Sequence, residues 1–462
     1  MANQSPGYSL PKAPKYHELP TAKPRAARSG PELVELRARL EVVTPILGGS
    51  HQTRAIDDVD VIRAPSVRGH LRCWWRALYA AQYTNADALH QRESALWGRA
   101  ATDDGGRSAV EIRVCVDRTG GTDNSEIRLY PGQGQQATPG AYALWPARAE
   151  TRTNTPTAPR RQPGTQFQLT LKVAGTEKDE AEVRNALRAW ILFGGYGGRT
   201  RRGLGSLKVI GDVNGWLPTA ATREALTSLF GFDIFAAPTS TPGDVPWFGG
   251  AAIHVGRADR NAQTAWTTAL DWLKEFRQGT TGQQGDCARE PGTGKAQSQR
   301  PSISNWPEAD KIRRIKNKTN AHAPRHNATA AWPRAGFGLP IIGQFQKTDR
   351  SNNRNAYDEP GPFELRWRAG KVEHDRLASP LVVKALPLAD GTFVPCALWL
   401  NRAYPANGEV ILRGANNSQA PFDRLVANGD TARFSALANK TSLRQAFLDW
   451  LHARYQTTVV AP

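Results

Sequence analysis

Two runs of helical periodicity, each preceded and followed by strand-like alternation, constrain the first half of this chain more than any other feature. Residues 33–46, LVELRARLEVVTPI, alternate apolar and polar side chains at Val34, Leu36, Ala38, Leu40 and Val42, the period of a half-buried strand. APSVRGHLRCWWRALYAAQY then places Leu71, Trp74, Trp75 and Leu78 at i, i+3, i+4, i+7, an apolar helical stripe. SAVEIRVCVD (108–117) and TQFQLTLKV (165–173) return to the strand period. DEAEVRNALRAWILF (179–193) puts Val183, Leu187, Trp190 and Ile191 on one helical face, and GLGSLKVIG supplies a short last strand. The order β-α-β-β-α-β is the split βαβ pattern of ferredoxin-like folds. That topology hosts many functions, so the chemistry has to be read from particular residues.

The most informative of these lie between the second helix and the last strand, where residues 194–206 read GGYGGRTRRGLGS. Glycine permits positive φ and leaves no Cβ in a ligand's way, so the amides around Gly194, Gly195, Gly197, Gly198, Gly203 and Gly205 could close on phosphate oxygens. Arg199, Arg201 and Arg202 add permanently charged planar forks that match phosphate geometry. So many arginines in a short loop repel one another unless an anion is present; a flexible surface turn is the plainer alternative. In the first helix, Ser66 after Pro65 is a candidate N-cap. Arg68, Arg72 and Arg76 follow i, i+4, i+8 as a basic ridge that begins at a helix N-terminus, where amides and dipole favour an anion. The plainer reading of such a row is a solvated face.

Charge points the same way. With 60 Lys and Arg against 42 Asp and Glu the formal net charge is +18, which favours a polyanionic partner such as nucleic acid. No apolar run is long enough to span a bilayer and the N-terminus lacks the apolar centre of a secretory signal, so no membrane partner and a cytoplasmic location are expected. Cys73, Cys115, Cys287 and Cys396 are dispersed without a CxxC pair, which argues against a zinc site or a disulfide framework. His322 and His326 have the spacing of two helical ligands, but Pro324 between them argues against a helix, and no cofactor is expected.

At 462 residues, two domains are expected, each with its own core. Residues 1–30 are Pro-rich, carry Lys12, Lys15, Lys23, Arg25 and Arg28, and read as a disordered basic arm. The first domain spans 31–214. A connector with one helix near 220–230 occupies 215–245, and the second domain spans 246–462. In the latter, AAIHVG, FGLPIIGQF, FELRWRAG, ASPLVVKALPL, FVPCALWLN and EVILRG are strand-like. TAWTTALDWLKEFRQG and SLRQAFLDWLHARY are amphipathic helices, the latter with Leu443, Phe447, Trp450 and Leu451 on one side. A polar insertion at about 279–335 contains KIRRIKNK, whose Lys311, Arg313 and Arg314 are candidate nucleic-acid contacts or a plain solvated loop. No second glycine-arginine loop follows the closing helix, so the first half is expected to dominate nucleic-acid holding.

IRAPSVRGHLRCWWRALY (62–79), followed by FGGYGGRTRRGLGSL (193–207) and then by FGLPI and RLASPLVVK (376–384), resembles the RAMP superfamily of CRISPR proteins, in particular the tandem-RAMP subunits of type III-B RNA-silencing complexes. The resemblance covers most of the ordered chain. It implies an α+β protein of two tandem ferredoxin-like (RRM-like) domains with long insertions. It also implies a non-catalytic subunit that contacts the 3′ region of CRISPR RNA, helps to capture target RNA and sits beside other RAMP subunits. Carried over position by position, it marks Arg63, Ser66, Arg68, Arg72 and Arg76, the loop from Gly194 to Gly205 with its three arginines, and Arg376 and Ser379. The N-terminal arm and the insertions near 120–160 and 280–335 depart from the family pattern.

Some relatives cut RNA, which gives an enzyme alternative. Asp57, Asp58 and Asp60 could hold a divalent metal against a phosphodiester, or His51 or His70 could act as general base on a ribose 2′-OH. Acidic loop residues more often pair with nearby arginines, and a histidine one turn into a helix more often packs. A stand-alone RNA-binding protein would share the charge and the fold, but would not be expected to carry both arginine motifs.

Overall fold

The computed structural model describes residues 33–100, 105–129, 134–150, 153–237, 245–278, 306–316, 327–345, 360–430 and 434–462. The basic arm, His322 and His326 lie outside these residues. The first unit comprises β1 (Leu33–Val42), β2 (Ile46–Leu47), α1 (Ala64–Tyr79), α2 (Ala86–Trp97), β3 (Val110–Arg118), β4 (Thr122–Asp123), α3 (Ala141–Leu144), β5 (Arg160–Arg161), β6 (Gln166–Ala174), α4 (Glu177–Phe193) and β7 (Leu207–Val209). Its main sheet has the order β3-β6-β1-β7 and is antiparallel throughout, the arrangement of a ferredoxin-like fold. Register follows the alternation: Leu36 pairs with Leu171, Ala38 with Leu169 and Leu40 with Phe167, so one face is apolar and α1 and α4 cover it. The short β2, β5 and β4 form a separate ribbon that joins the insertion to the segment after β1.

Local signals explain the helix boundaries. Thr176 and Asp179 close a capping box at the start of α4. Asn85 caps α2, an element that the periodicity had not suggested, by accepting the Ala88 amide at 2.9 Å. Ser66 is not an N-cap. The helix begins at Ala64 with Arg63 in the capping position, because Pro65 fits the first turn, where its missing N–H has no partner to lose.

The second unit comprises β8 (Trp247–Val255), α6 (Ala262–Gln278), α7 (Glu308–Ile315), β9 (Ile341–Gly343), β10 (Phe363–Ala369), β11 (Val372–His374), β12 (Leu381–Pro387), β13 (Phe393–Asn401), β14 (Gly408–Leu412), α8 (Leu443–Tyr455) and β15 (Thr458–Ala461). Its sheet order, β12-β13-β8-β15, repeats the first topology. The remaining strands β9, β10, β11 and β14 make a satellite sheet over Ile312, Trp332, Leu365, Trp367 and Phe422.

The two units do not have separate cores. Strand β12 is buried along its whole length, and its alternate residues face opposite ways. Val382 and Leu386 join the cluster that holds Trp74, Trp190 and Phe193, whereas Leu381, Val383 and Ala385 join the cluster of Trp266, Leu270 and Phe447. The layers therefore run sheet, helices, sheet, helices, with α1 and α4 shared between both sheets. The segment after β7 is packed as well: Trp216, Leu217, Leu226, Phe230 and Phe235 are buried in the shared cluster, and α5 (Arg223–Phe230) lies among them.

Candidate nucleic-acid interface

The glycine-arginine loop is a tightly bonded girdle. Its amides are largely used inside the protein: Tyr196 N donates to Gly205 O at 2.9 Å, Gly205 N to Pro45 O at 2.9 Å, Gly198 N to Leu47 O at 2.7 Å, and Gly203 N to Thr200 O at 2.9 Å. Thr44 Oγ1 donates to Gly203 O at 2.7 Å, and Trp190 Nε1 to Gly195 O at 2.9 Å. The glycines answer to packing. A Cβ on Gly205 (φ +64) would come within 1.9 Å of Tyr196 O, and one on Gly194 within 2.6 Å of Trp74 Nε1. The expected amide cradle for phosphate is thus corrected at Gly194, Gly198, Gly203 and Gly205, whose N–H groups are already engaged, that of Gly194 by Trp190 O at 2.9 Å.

The loop's arginine side chains are different. Arg199 stands in the left-handed region (φ +58) and is exposed, and Arg201 and Arg202 follow in a 3-10 turn, half-buried. Arg202 lies over the Tyr142 ring at 5.1 Å. Burial, with Arg277 and Arg199 nearby, pushes its guanidinium down to about 10, so it stays charged at neutral pH. Among the described residues, none of these three guanidinium groups makes a hydrogen bond or an ion pair. The guanidinium of Arg63 is likewise without one, while its backbone N–H donates to Tyr196 Oη at 2.9 Å.

The helical ridge is not free. Arg68 donates to Ser108 Oγ at 2.7 Å and to Val110 O at 3.0 Å, which ties α1 to β3. Arg72 and Arg76 both reach Glu93 Oε1 of α2 at 2.6 Å, and that carboxylate is only 6% exposed. A row at helical spacing could not reveal this, because its counter-charge comes from α2. The basic cluster after 310 is also structural. Lys311 is fully buried and paired with Asp430, with further bonds to Asn327 O and Thr329 O. Arg313 is buried, pairs with Asp310 at 2.8 Å and stacks on Phe345. Arg314 at the end of α7 is half-buried. In the second motif, Ser379 Oγ bonds the Leu381 backbone and shapes the entry to β12, whereas Arg376 is exposed.

The open face of the first sheet carries no aromatic platform. Its charges largely cancel, with Arg37 on Glu35 at 2.7 Å, Arg39 on Asp117 at 3.1 Å and Lys208 on Glu41 at 3.5 Å. Three of the candidate catalytic groups, Asp57, Asp58 and His70, are engaged too, whereas Asp60 and His51 are exposed. Asp57 Oδ1 accepts the amides of Val59 and Asp60 at 3.0 and 2.8 Å, which holds its carboxyl below the usual range. Asp58 pairs with Arg161 at 2.7 Å. His70 stacks against Trp190 at 5.8 Å, and burial pushes it down to about 4, a weak general base.

Two residues outside the candidate set fix the loop from the second unit. Trp266 of α6 donates Nε1 to Arg202 O at 2.7 Å. Its indole fills the gap between Gly203 and Gly140, where an added Cβ would come within 2.3 and 2.0 Å of the ring. Lys384 of β12, fully buried, donates to Ile191 O at 3.1 Å and Gly194 O at 2.8 Å, which caps α4. The signal for Lys384 was present in LVVKALP: a lone lysine in an otherwise apolar strand has to find carbonyl partners.

Residues 39–208 match the model of the RAMP superfamily. Among solved structures the chain is similar to Cmr1 from Pyrococcus furiosus in its apo form, at 16% identity and a TM-score of 0.47, covering 92% of this chain and 98% of that one. It is similar also to a chain of the type III-B Cmr-beta complex bound to cognate target RNA and AMPPnP in the presence of ssDNA, at 11% identity and a TM-score of 0.46, covering 91% and 100%. A chain of a type IV-B CRISPR complex matches at 18% identity and a TM-score of 0.26, covering 38% and 91%. No curated protein matches the chain in sequence.

Proposed function

We propose that this chain, whose residues 39–208 match the RAMP-superfamily model, is a non-catalytic, RNA-binding subunit of a type III-B CRISPR-RNA-guided complex. In this reading it contacts the 3′ region of CRISPR RNA and helps to capture target RNA beside other RAMP subunits. The observation that carries the reading is the contrast between two sets of arginines in the same unit. Arg68 is hydrogen-bonded to Ser108 and the Val110 carbonyl, and Arg72 and Arg76 share the Glu93 carboxylate. Arg199, Arg201 and Arg202 stand on a rigid loop without any such partner among the described residues. A folded protein that fixes three cations side by side is poised for an anion, and a phosphodiester chain supplies one repeatedly. Arg63 and Arg376 are secondary contacts in this reading, and the chain is cytoplasmic.

Binding to labelled single-stranded RNA over a salt series tests this. If about five phosphates are neutralised, log K falls with log salt at a slope of about −3.5, roughly a hundredfold loss between about 50 and 200 mM. Replacing Arg201 and Arg202 with Ala is expected to weaken different RNA sequences about equally, since phosphate contacts carry no base information. A salt-independent affinity would overturn the reading. RNA cleavage in Mg²⁺ that is lost in Asp57→Ala or Asp58→Ala would instead establish the nuclease alternative.

A further inference from the structure

We propose that Trp145, in the insertion of the first unit, is a stacking platform for one unpaired base of RNA, placed beside Arg202 of the arginine loop. This rests on the RNA-binding reading and deepens it, since the loop arginines address phosphate alone.

Of the fourteen tryptophans in the chain, twelve are buried, Trp450 is half-buried and Trp145 alone is exposed, at 38%. A single exposed apolar side chain is ordinary; the support beneath this one is not. Ala141, Ala143, Leu144 and Ala147 are buried on the inner side of the turn that carries it. Ahead of that turn, Gly140 abuts Trp266 so closely that an added Cβ would come within 2.0 Å of the indole. Behind it, Arg54, in the left-handed region at φ +63, donates to the carbonyls of Pro146 at 2.6 Å, Arg148 at 2.9 Å and Pro156 at 2.7 Å. The ring therefore stands on a turn fixed from both sides, and a fixed aromatic loses little freedom when a ligand stacks on it.

The helical turn α3 runs directly into a 3-10 turn, Trp145–Ala147, so Tyr142, Trp145 and Arg148 follow at intervals of three along one side. Arg202 lies over the Tyr142 ring at 5.1 Å and Arg148 over the Trp145 ring at 4.2 Å. Among the described residues no other ring packs on Trp145, so its open surface lies away from Arg148. Rings and guanidinium groups alternate here as bases and phosphates alternate along a single strand. Residues 140–161 carry four arginines and one carboxylate, Glu150, a balance that favours a polyanion bearing flat rings over an apolar protein surface.

The test uses the full chain and a fluorescein-labelled single-stranded RNA of about twenty nucleotides, read by anisotropy over a salt series. Trp145→Ala is expected to lower affinity about tenfold, the loss of one stacked base, and to leave the salt slope as in wild type because no charge is removed. Trp145→Phe keeps a π face and is expected to stay within about threefold of wild type, whereas Trp145→Leu keeps apolar area without that face and is expected to fall with Trp145→Ala. Affinity for an RNA duplex of the same length, whose bases are stacked on one another, is expected to be alike in wild type and Trp145→Ala. Unchanged melting temperatures separate these effects from misfolding. Acrylamide quenching gives a reading on the wild-type protein itself, in which single-stranded RNA is expected to shield the most accessible tryptophan emission. Salt-dependent binding by wild type with Trp145→Ala within about twofold of it, with Trp145→Leu equal to wild type, or with no shielding, overturns the platform alone. Absence of salt-dependent binding by wild type overturns the RNA-binding reading and the platform with it.

Discussion

Lys384 sits where no water reaches it, its Nζ held between the Ile191 and Gly194 carbonyls. Burial pushes its ammonium down to about 7. The unfolded chain keeps this proton up to the ordinary lysine range near 10.4, so above pH 7 the unfolded state binds more protons than the folded one. Stability from this residue therefore rises with pH between about 7 and 10, at up to about 1.4 kcal/mol per pH unit. Urea unfolding of wild type is expected to move to higher midpoints from pH 7 to 9, and Lys384→Met is expected to lack that increment. Parallel profiles for the two proteins would remove this assignment. The residue scale also shows why the arginines divide into two classes. A guanidinium whose N–H groups are taken up by the fold has fewer left for an outside anion, and Glu93, Asp310 and the Val110 carbonyl take them up for Arg76, Arg313 and Arg68.

At the scale of elements, the loop between α4 and β7 works as a shaped connector. Gly203 shows the constraint most sharply: its φ of +75 and the Trp266 ring at 2.3 Å from any added Cβ both exclude a side chain. Gly203→Ala is expected to cost about 3 kcal/mol, from left-handed strain and a displaced indole together. Because that indole also bonds Arg202 O, the same variant is expected to weaken RNA binding. Chemical denaturation and the anisotropy titration check the two effects, and a variant with wild-type stability would show that the Trp266 wedge yields freely. The first helix-strand order was legible in the sequence, since periodicity marks an amphipathic face wherever one side of an element is buried, whereas in the second unit the closing strand Thr458–Ala461 had no such signal. The role of α7 was not legible either. Its Lys311 looks like part of a solvated basic cluster until Asp430, 119 residues away, is folded against it.

At the scale of the whole molecule, the second sheet is a middle layer with helices of different units on its two faces. Phe248 of β8 makes the point: it packs on Phe193 at 5.2 Å, Trp74 at 5.8 Å and Phe235 at 6.1 Å, all from residues before the second unit. A core continuous across both units favours their unfolding together. Phe248→Ala is expected to cost about 3–5 kcal/mol and to lower a single calorimetric transition. Two resolved transitions, of which only one shifts, would show that the units are thermodynamically separate.

The sequence by itself determined the first ferredoxin-like order and the position of the glycine-arginine loop, and its net charge of +18 pointed to a polyanionic partner. These depend on local periodicity, on residues adjacent along the chain and on net charge, all of which survive without a fold. Only the tertiary structure decided which cations remain available. Neutralisation is a matter of distance in space, and Glu93, Asp430 and the carbonyls that cap Lys384's amine reach their partners across gaps that no spacing rule spans. The same holds for Trp266, which comes to the arginine loop only because the second unit is packed against the first.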